Sequence, residues 1–469
     1  MKRSLAWTRR RFLHASAAVG LNAACLSSLG AGNSDNLPFA AGTGKADITA
    51  PLEVGILMSS GRRLWQPFQG VRLPLWARAV VLQQGERRYA IVALDLIGLA
   101  DDAVGGMRGF RDRVVAASGG AVTADSMVLA SSHTHSSPET IALTDLKNTE
   151  PFRRWVERLA EQIGSAIRTA AADLRPCRLA VAEQAAPGIG INRRIKTTRG
   201  ILSAWGQYAP DIVLGPEGPA DDAVRVAALL DKSGRPIAVL VNATAHPVLE
   251  MCLPDVSPDY PGEMAIELEK RHPGAMVLFL QGACGNINPP KLERCPENAL
   301  AHGRRLAGFV DQAMAGLEPA TSPDVLELCW KSIELPARTL EDKPAAEPMK
   351  TRIGALRIGQ AAFVFLPGEP FLEIAIAIRE KSPRKFTAVV GYADDYIGYI
   401  PTDRAFDNGG YEVHAGLWSR VARGSEAIVR DAAIELVQRC ERNRPSAGSG
   451  GDWSLRRRSV WSRRQRWRC

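Results

Sequence analysis

One short design recurs along this chain and limits what it can fold into: an apolar run of four or five residues that ends in polar, Gly or Pro residues. Residues 127–130, 237–241, 276–280, 362–366 and 387–390 are all of this kind. Short apolar runs bounded by such residues read as buried strands. Further strands are expected at 79–83 and 89–95 around the turn Gly85-Glu86-Arg87, and at 178–182, 224–230, 325–333 and 355–358. Apolar residues at helical spacing fill 152–172, 261–271, 299–315, 371–380 and a closing segment, 417–438. This alternation predicts an α/β protein of layered mixed β-sheets with flanking helices in a single large domain. The Pro/Gly-rich stretches 196–221 and 336–351 read as surface loops, not domain boundaries, and no internal repeat is visible.

Chemistry in α/β folds gathers where strands end. Only seven histidines occur in the chain. Two sit one residue apart at the first strand end, Ser131-Ser132-His133-Thr134-His135-Ser136. On an extended backbone, residues i and i+2 face the same way, so both imidazoles are expected to face one site. Imidazole is the commonest metal-ligating side chain and the usual proton carrier near neutral pH. The other strand ends carry Ala245-His246-Pro247, Gly285-Asn286-Ile287-Asn288-Pro289, Pro367-Gly368-Glu369-Pro370, and the tyrosines Tyr392, Tyr396 and Tyr399. Each has a plain structural reading too. The histidines fit hydrogen-bonded loops, Glu369 fits a first-turn acid favoured by the helix dipole, and the tyrosines fit the core. Asp259, opening a helix, reads as a cap or as a partner to a ligand histidine. Asp95 ends another strand.

The net charge of +9 does not describe the body. Residues 1–34 contribute +5 and residues 442–469 contribute +8, which leaves −4 for residues 35–441. A mildly acidic body is not a nucleic-acid footprint. Thr8-Arg9-Arg10-Arg11-Phe12-Leu13 followed by an uncharged Ala-rich run reads as a twin-arginine-type signal, with export to the periplasm or outside the cell. An ordinary secretory signal is the alternative. The Arg/Trp tail, 442–469, has no periodicity and suits anionic lipid, a peripheral membrane contact, or no role at all. Seven cysteines follow the signal without any CxxC pair, so a cysteine-based zinc module is not supported. Cys284 and Cys295 flank one loop, as a disulfide or as free thiols. The sequence carries no signature of oligomeric state.

Taken in order from about Gly42 to Trp418, these motifs resemble the catalytic domain of the neutral/alkaline ceramidases. The resemblance rests on Gly44-Lys45-Ala46-Asp47-Ile48-Thr49-Ala50-Pro51, Ala77-Arg78-Ala79, His133-Thr134-His135-Ser136, Asn192-Arg193, His246-Pro247, Pro367-Gly368-Glu369, and Tyr396-x-x-Tyr399 followed by Tyr411-Glu412. It implies a Zn2+ held by His133, His246, Glu369 and Tyr399, with His135 as proton shuttle. Arg193 and Tyr411 would hold the scissile carbonyl. The implied reaction is hydrolysis of the amide of an N-acyl, sphingolipid-like or smaller, substrate by zinc-activated water.

Two departures qualify it. Asn288 stands where those enzymes carry an active-site serine. A carboxamide cannot serve as nucleophile, although it can donate to an oxyanion. The immunoglobulin-like domain that follows in the ceramidases also has no counterpart in this sequence. A binding protein that has lost catalysis, or a zinc esterase or deacetylase, are the competing readings.

Overall fold

The computed structural model describes residues 38–204, 206, 208–340 and 347–442. The signal at 1–34 and the tail from 443 lie outside the described residues. Three mixed sheets make up the frame. The first contains β1 (Phe39–Asp47), β2 (Trp76–Gln84), β3 (Arg87–Leu94) and β4 (Met127–Ser131), with α1 (Met107–Ala117) before β4 and α2 (Glu150–Ala172) after it. The second contains β5 (Arg178–Ala185), β6 (Ala223–Leu230), β7 (Pro236–Ala243) and β8 (Met276–Gln281), with α3 (Asp259–Arg271) before β8 and α4 (Pro296–Ala315) after it. The third contains β9 (Leu326–Leu335), β10 (Met349–Ile358), β11 (Ala361–Phe365) and β12 (Phe386–Val390), with α5 (Leu372–Lys381) before β12 and α6 (Ser425–Arg442) after it.

One topology therefore occurs three times. The first three strands of each sheet form an antiparallel meander, and a helical crossover brings the fourth strand parallel to the third. A short fifth strand, Arg175–Pro176, pairs with β1. Period-2 alternation decides which face goes where. Val80, Leu82, Ile91, Val128, Ala227, Leu240, Leu278, Leu356, Phe363 and Ala388 point inward from all three sheets into one shared core. Their neighbours point outward and meet the helices of their own sheet, as Val81 and Val92 do for the first, Val239 and Val277 for the second, and Ile353 and Val364 for the third. Each fully buried aliphatic side chain contributes about 1.5–3 kcal/mol. In α2 the buried Phe152, Trp155, Val156, Leu159, Ala160, Ile163, Ala166, Ile167 and Ala170 form one stripe at helical spacing, which is why that helix was legible.

The α/β expectation holds, and the differences have local causes. The closing helix begins at Ser425, not 417. Leu417, Trp418 and Val421 mimic helical spacing, but they pack into two different cores, and Ser419 and Val421 bridge to Gly398 and Ala337. The segment 196–221 is not a simple loop. Arg194–Thr197, Gly200–Ser203 and Val213–Pro216 form a small three-stranded sheet. The second expected loop ends early, because β10 starts at Met349. The threefold repeat leaves no trace in residue identity, since a strand face asks only for an apolar residue of suitable size. Cys284 and Cys295 are free thiols.

Candidate metal centre and active site

All three sheets deliver side chains to one place. His133 and His135 follow β4, His246 follows β7, Glu369 follows β11, and Tyr392, Tyr396 and Tyr399 follow β12. The backbone from 131 to 135 is not extended as the i, i+2 argument assumed. His133 sits at φ 68°, a left-handed conformation uncommon outside glycine, and it turns the ring inward. The rings converge nonetheless, with centroids of His133 and His135 4.7 Å apart and His133 and His246 also 4.7 Å apart. Gly368, at φ 62°, lets the segment before Glu369 approach the Gly398 carbonyl, where a Cβ would meet that oxygen at 2.3 Å. Glu369 and Tyr399 are then direct partners in a two-residue parallel ladder.

His133 Nε2 lies 3.1 Å from His246 Nε2 and 3.2 Å from His135 Nε2. Glu369 Oε2 lies 3.4 Å from His133 Nε2 and 3.2 Å from His246 Nε2. The other ring nitrogens fix the tautomers. His133 Nδ1 is 2.6 Å from the Ile97 carbonyl and His246 Nδ1 is 2.6 Å from the Cys284 carbonyl. A carbonyl only accepts, so both Nδ1 atoms donate, and in the neutral rings both Nε2 lone pairs face inward. Two lone pairs and a carboxylate oxygen thus confront one another, which is repulsive unless a cation lies among them. A tetrahedral zinc with ligands at about 2.0–2.1 Å would hold neighbouring ligand atoms about 3.3 Å apart. The donor set and its spacing fit a divalent cation of this kind.

Burial alone would raise the Glu369 carboxyl, but the adjoining His133 and His246 hold it well below the usual carboxylate range. Burial and the Arg193 cation lower His246 to about 4. Burial, His133 and His246 push His135 well below its ordinary value. Glu369 is therefore an anion at neutral pH, and His246 is a neutral imidazole free to ligate. Tyr396 donates to Glu369 Oε1 at 2.6 Å, Tyr392 reaches Oε2 at 3.3 Å, and the Tyr392 ring stacks on His133 at 4.0 Å.

Arg193 is buried beside the cluster. Its Nε donates to Glu412 Oε1 at 2.7 Å and its Nη2 to the Tyr399 hydroxyl at 2.8 Å. Burial opposes its charge, but Tyr399 and Glu412 raise its pKa well above the usual value. Asn288 is fully buried behind it, with Oδ1 3.4 Å from Arg193 Nη1 and Nδ2 without a hydrogen-bond partner among the described residues. A cavity of about 360 Å³ opens onto His135, His246, Arg193, Tyr399 and Tyr411. Leu57, Met58, Val248 and Met251 give it apolar walls. Tyr411 is 43% exposed at this cavity and stacks on Trp418.

Comparison with known proteins bears on this arrangement. Residues 39–198 match the family described as neutral/alkaline non-lysosomal ceramidase, N-terminal. The neutral ceramidase of Pseudomonas aeruginosa is 30% identical over 269 residues, which are 54% of this chain and 38% of that protein. Over these residues the chain is similar to the neutral/alkaline ceramidases. The ceramidase-like fold extends further than the sequence match. The crystal structure of neutral ceramidase from Pseudomonas aeruginosa superposes with a TM-score of 0.70 at 21% identity, over 87% of this chain and 75% of that one. A ceramidase complexed with C2 gives 0.69 at 20% identity, over 88% and 77%. The sequence match thus spans well under half the length of the curated relative.

Within this ceramidase-like frame, His133, His135, His246, Glu369, Arg193, Tyr399 and Tyr411 gather at one centre. His135 contributes a third nitrogen to the cluster as well as facing the cavity. Asn288 touches the centre only through Arg193. Asp259 is not a partner of any of these histidines. Its carboxylate accepts from the backbone of Tyr260 and Glu250 at the start of α3. Asp95 pairs with Arg78 at 2.8 Å, within the first sheet. Sequence reasoning named Tyr392, Tyr396 and Glu412 but gave them no role at the site. Glu412 binds Arg193 through one oxygen and Arg194 at 2.6 Å through the other. Only the fold shows that one acid serves both adjacent arginines.

Proposed function

We propose that this chain is an exported, zinc-dependent hydrolase that cleaves the amide bond of an N-acyl substrate. The convergence of His133, His246 and Glu369 from three separate sheets, with lone pairs inward, is the observation that carries the reading. Tyr399 completes the site, in line with the family resemblance. A zinc ion bound there supplies Lewis acidity and acidifies water toward neutral pH. The chain's own residues do the rest. Arg193, locked by Glu412, orients the Tyr399 hydroxyl and sets a fixed positive charge beside the developing oxyanion. Tyr411, at the cavity wall, positions the carbonyl. His135 Nε2 carries a proton to the departing nitrogen. The apolar walls exclude water from the acyl side.

The substrate is an N-acyl compound whose acyl end fits the 360 Å³ cavity. The domain assignment follows, with residues 35–441 as the hydrolase, 1–34 as a twin-arginine-type signal and 442–469 as a basic tail. The loss of the serine at Asn288 favours a second reading, a ceramidase-like binding protein without turnover. One experiment decides between them. Purified protein is assayed for bound metal and for hydrolysis of a panel of N-acyl amines and matching esters. The hydrolase reading expects about one equivalent of zinc, turnover of amides, and loss of both in His133→Ala. His135→Ala should keep the zinc and lose turnover by roughly 10²–10⁴-fold. Loss of zinc in that variant would make His135 a ligand instead. Binding without turnover would establish the second reading.

A further inference from the structure

The third sheet carries two cysteines outside the site. Cys329 lies on edge strand β9 and is half-buried, whereas Cys440 lies in the last turns of α6 and is buried. Cys329 is the direct cross-strand partner of Ala355 on β10. The two side chains therefore share the outer face of the sheet, where α6 packs. Cys440 Sγ lies 3.9 Å from the Ala355 carbonyl. Contacts on either side hold helix and strand in this register. Arg439 Nη2 donates to the Trp330 carbonyl at 3.3 Å, and Lys331 pairs with Glu435 one helical turn earlier. Each thiol is the leading influence on the other's pKa, which places them as neighbours.

We infer that Cys329 and Cys440 form a disulfide site that staples α6 to β9. The chemistry is thiol–disulfide exchange with a small-molecule disulfide such as oxidised glutathione. The Cys329 thiolate attacks one sulfur of the donor and expels one glutathione thiolate, giving a mixed disulfide. The Cys440 thiol then loses its proton and attacks Cys329 Sγ, expelling the second. Two protein thiols are oxidised to one disulfide, and one glutathione disulfide is reduced to two glutathiones. The order of attack follows from the surroundings. The neighbouring Cys440 thiol is the main influence that lowers the Cys329 pKa below its usual value, against the effect of burial. The same contact, with burial, raises Cys440. The half-buried partner is thus the better nucleophile and the buried one the resolving thiol. The bridge would close a loop of more than a hundred residues, the range in which cross-linking constrains the unfolded chain most.

The test uses the folded full-length chain. Reduced protein is incubated with oxidised glutathione, alkylated, and measured by intact mass and non-reducing peptide mapping. The expected result is loss of two alkylatable thiols, a linked peptide pair containing Cys329 and Cys440, and a higher denaturant midpoint than the reduced protein. Cys329→Ser should abolish the link and the midpoint shift, whereas Cys252→Ser should leave both intact. Cys440→Ser provides a second check through persistent glutathione on Cys329. The proposal is overturned if folded wild-type protein keeps both thiols free, pairs either with another cysteine, or stays glutathionylated at Cys329 with Cys440 still alkylatable. None of these outcomes depends on metal binding or hydrolysis.

Discussion

Arg193 has its guanidinium committed to Glu412 on one edge and to Tyr399 on the other. The planar fork makes both bonds at once, which a lysine ammonium on a flexible stem cannot do. Arg193→Lys should therefore retain zinc but lose hydrolysis by about 10²-fold, the scale expected when a positioned group shifts by an ångström. Glu412→Gln should fall in the same direction by less, because the amide still accepts from Nε. Parallel metal analysis and initial-rate kinetics check both, and a variant that loses metal along with activity would place Arg193 in metal binding instead. Histidines one residue apart and a Pro-Gly-Glu turn made the candidate residues legible in the sequence, and the family resemblance implied their roles. What orients them was not. The Ile97 and Cys284 carbonyls that fix the two tautomers are backbone atoms, and any residue can supply one.

Elements with a strong period were legible, and those shaped by partners were not. β1 was invisible because its Gly42 and Gly44 break the apolar run. Those glycines are needed for packing, since a Cβ at Gly44 would lie 2.1 Å from the Ala166 carbonyl of α2. The pair α3 and α4 holds a different constraint. His302 on α4 is buried, its ring packs edge-on to Tyr260 of α3 at 4.7 Å, and its Nε2 has no hydrogen-bond partner among the described residues. Burial, with some help from Arg305, lowers its pKa to about 4. An unfolded histidine titrates near 6.5, so between these values the unfolded chain binds more protons. The stabilisation from keeping His302 neutral is complete above about pH 6.5 and is lost as pH falls toward 4, about 3 kcal/mol in all. The denaturant midpoint should thus drop more steeply from pH 7.5 to 4.5 in the native sequence than in His302→Gln. Equal slopes in the two proteins would refute this.

At the scale of the whole molecule, three sheets of one topology share an inner core, and each sends a strand end to the candidate metal centre. Alternating apolar residues announced the sheets one at a time. Their association did not show in the sequence, because pairing of distant sheets depends on matched faces rather than on any local motif. A metal ion bound at this cluster would act as a clamp. His133 follows a strand of the first sheet, His246 one of the second and Glu369 one of the third, so an ion held by all three would couple elements more than two hundred residues apart in sequence. An ion that binds only the folded chain stabilises it by about 2.7 kcal/mol at a hundred times its dissociation constant. Because all three sheets also share Val80, Leu240 and Phe363 in one core, that stabilisation should reach the entire frame. Calorimetry of metal-stripped protein should show one cooperative transition that moves upward as zinc is added. In Glu369→Gln the transition should remain single and respond far less. If zinc instead moved only one of two separate transitions, the sheets would be independent units, and the ion would be bound within one of them rather than between all three.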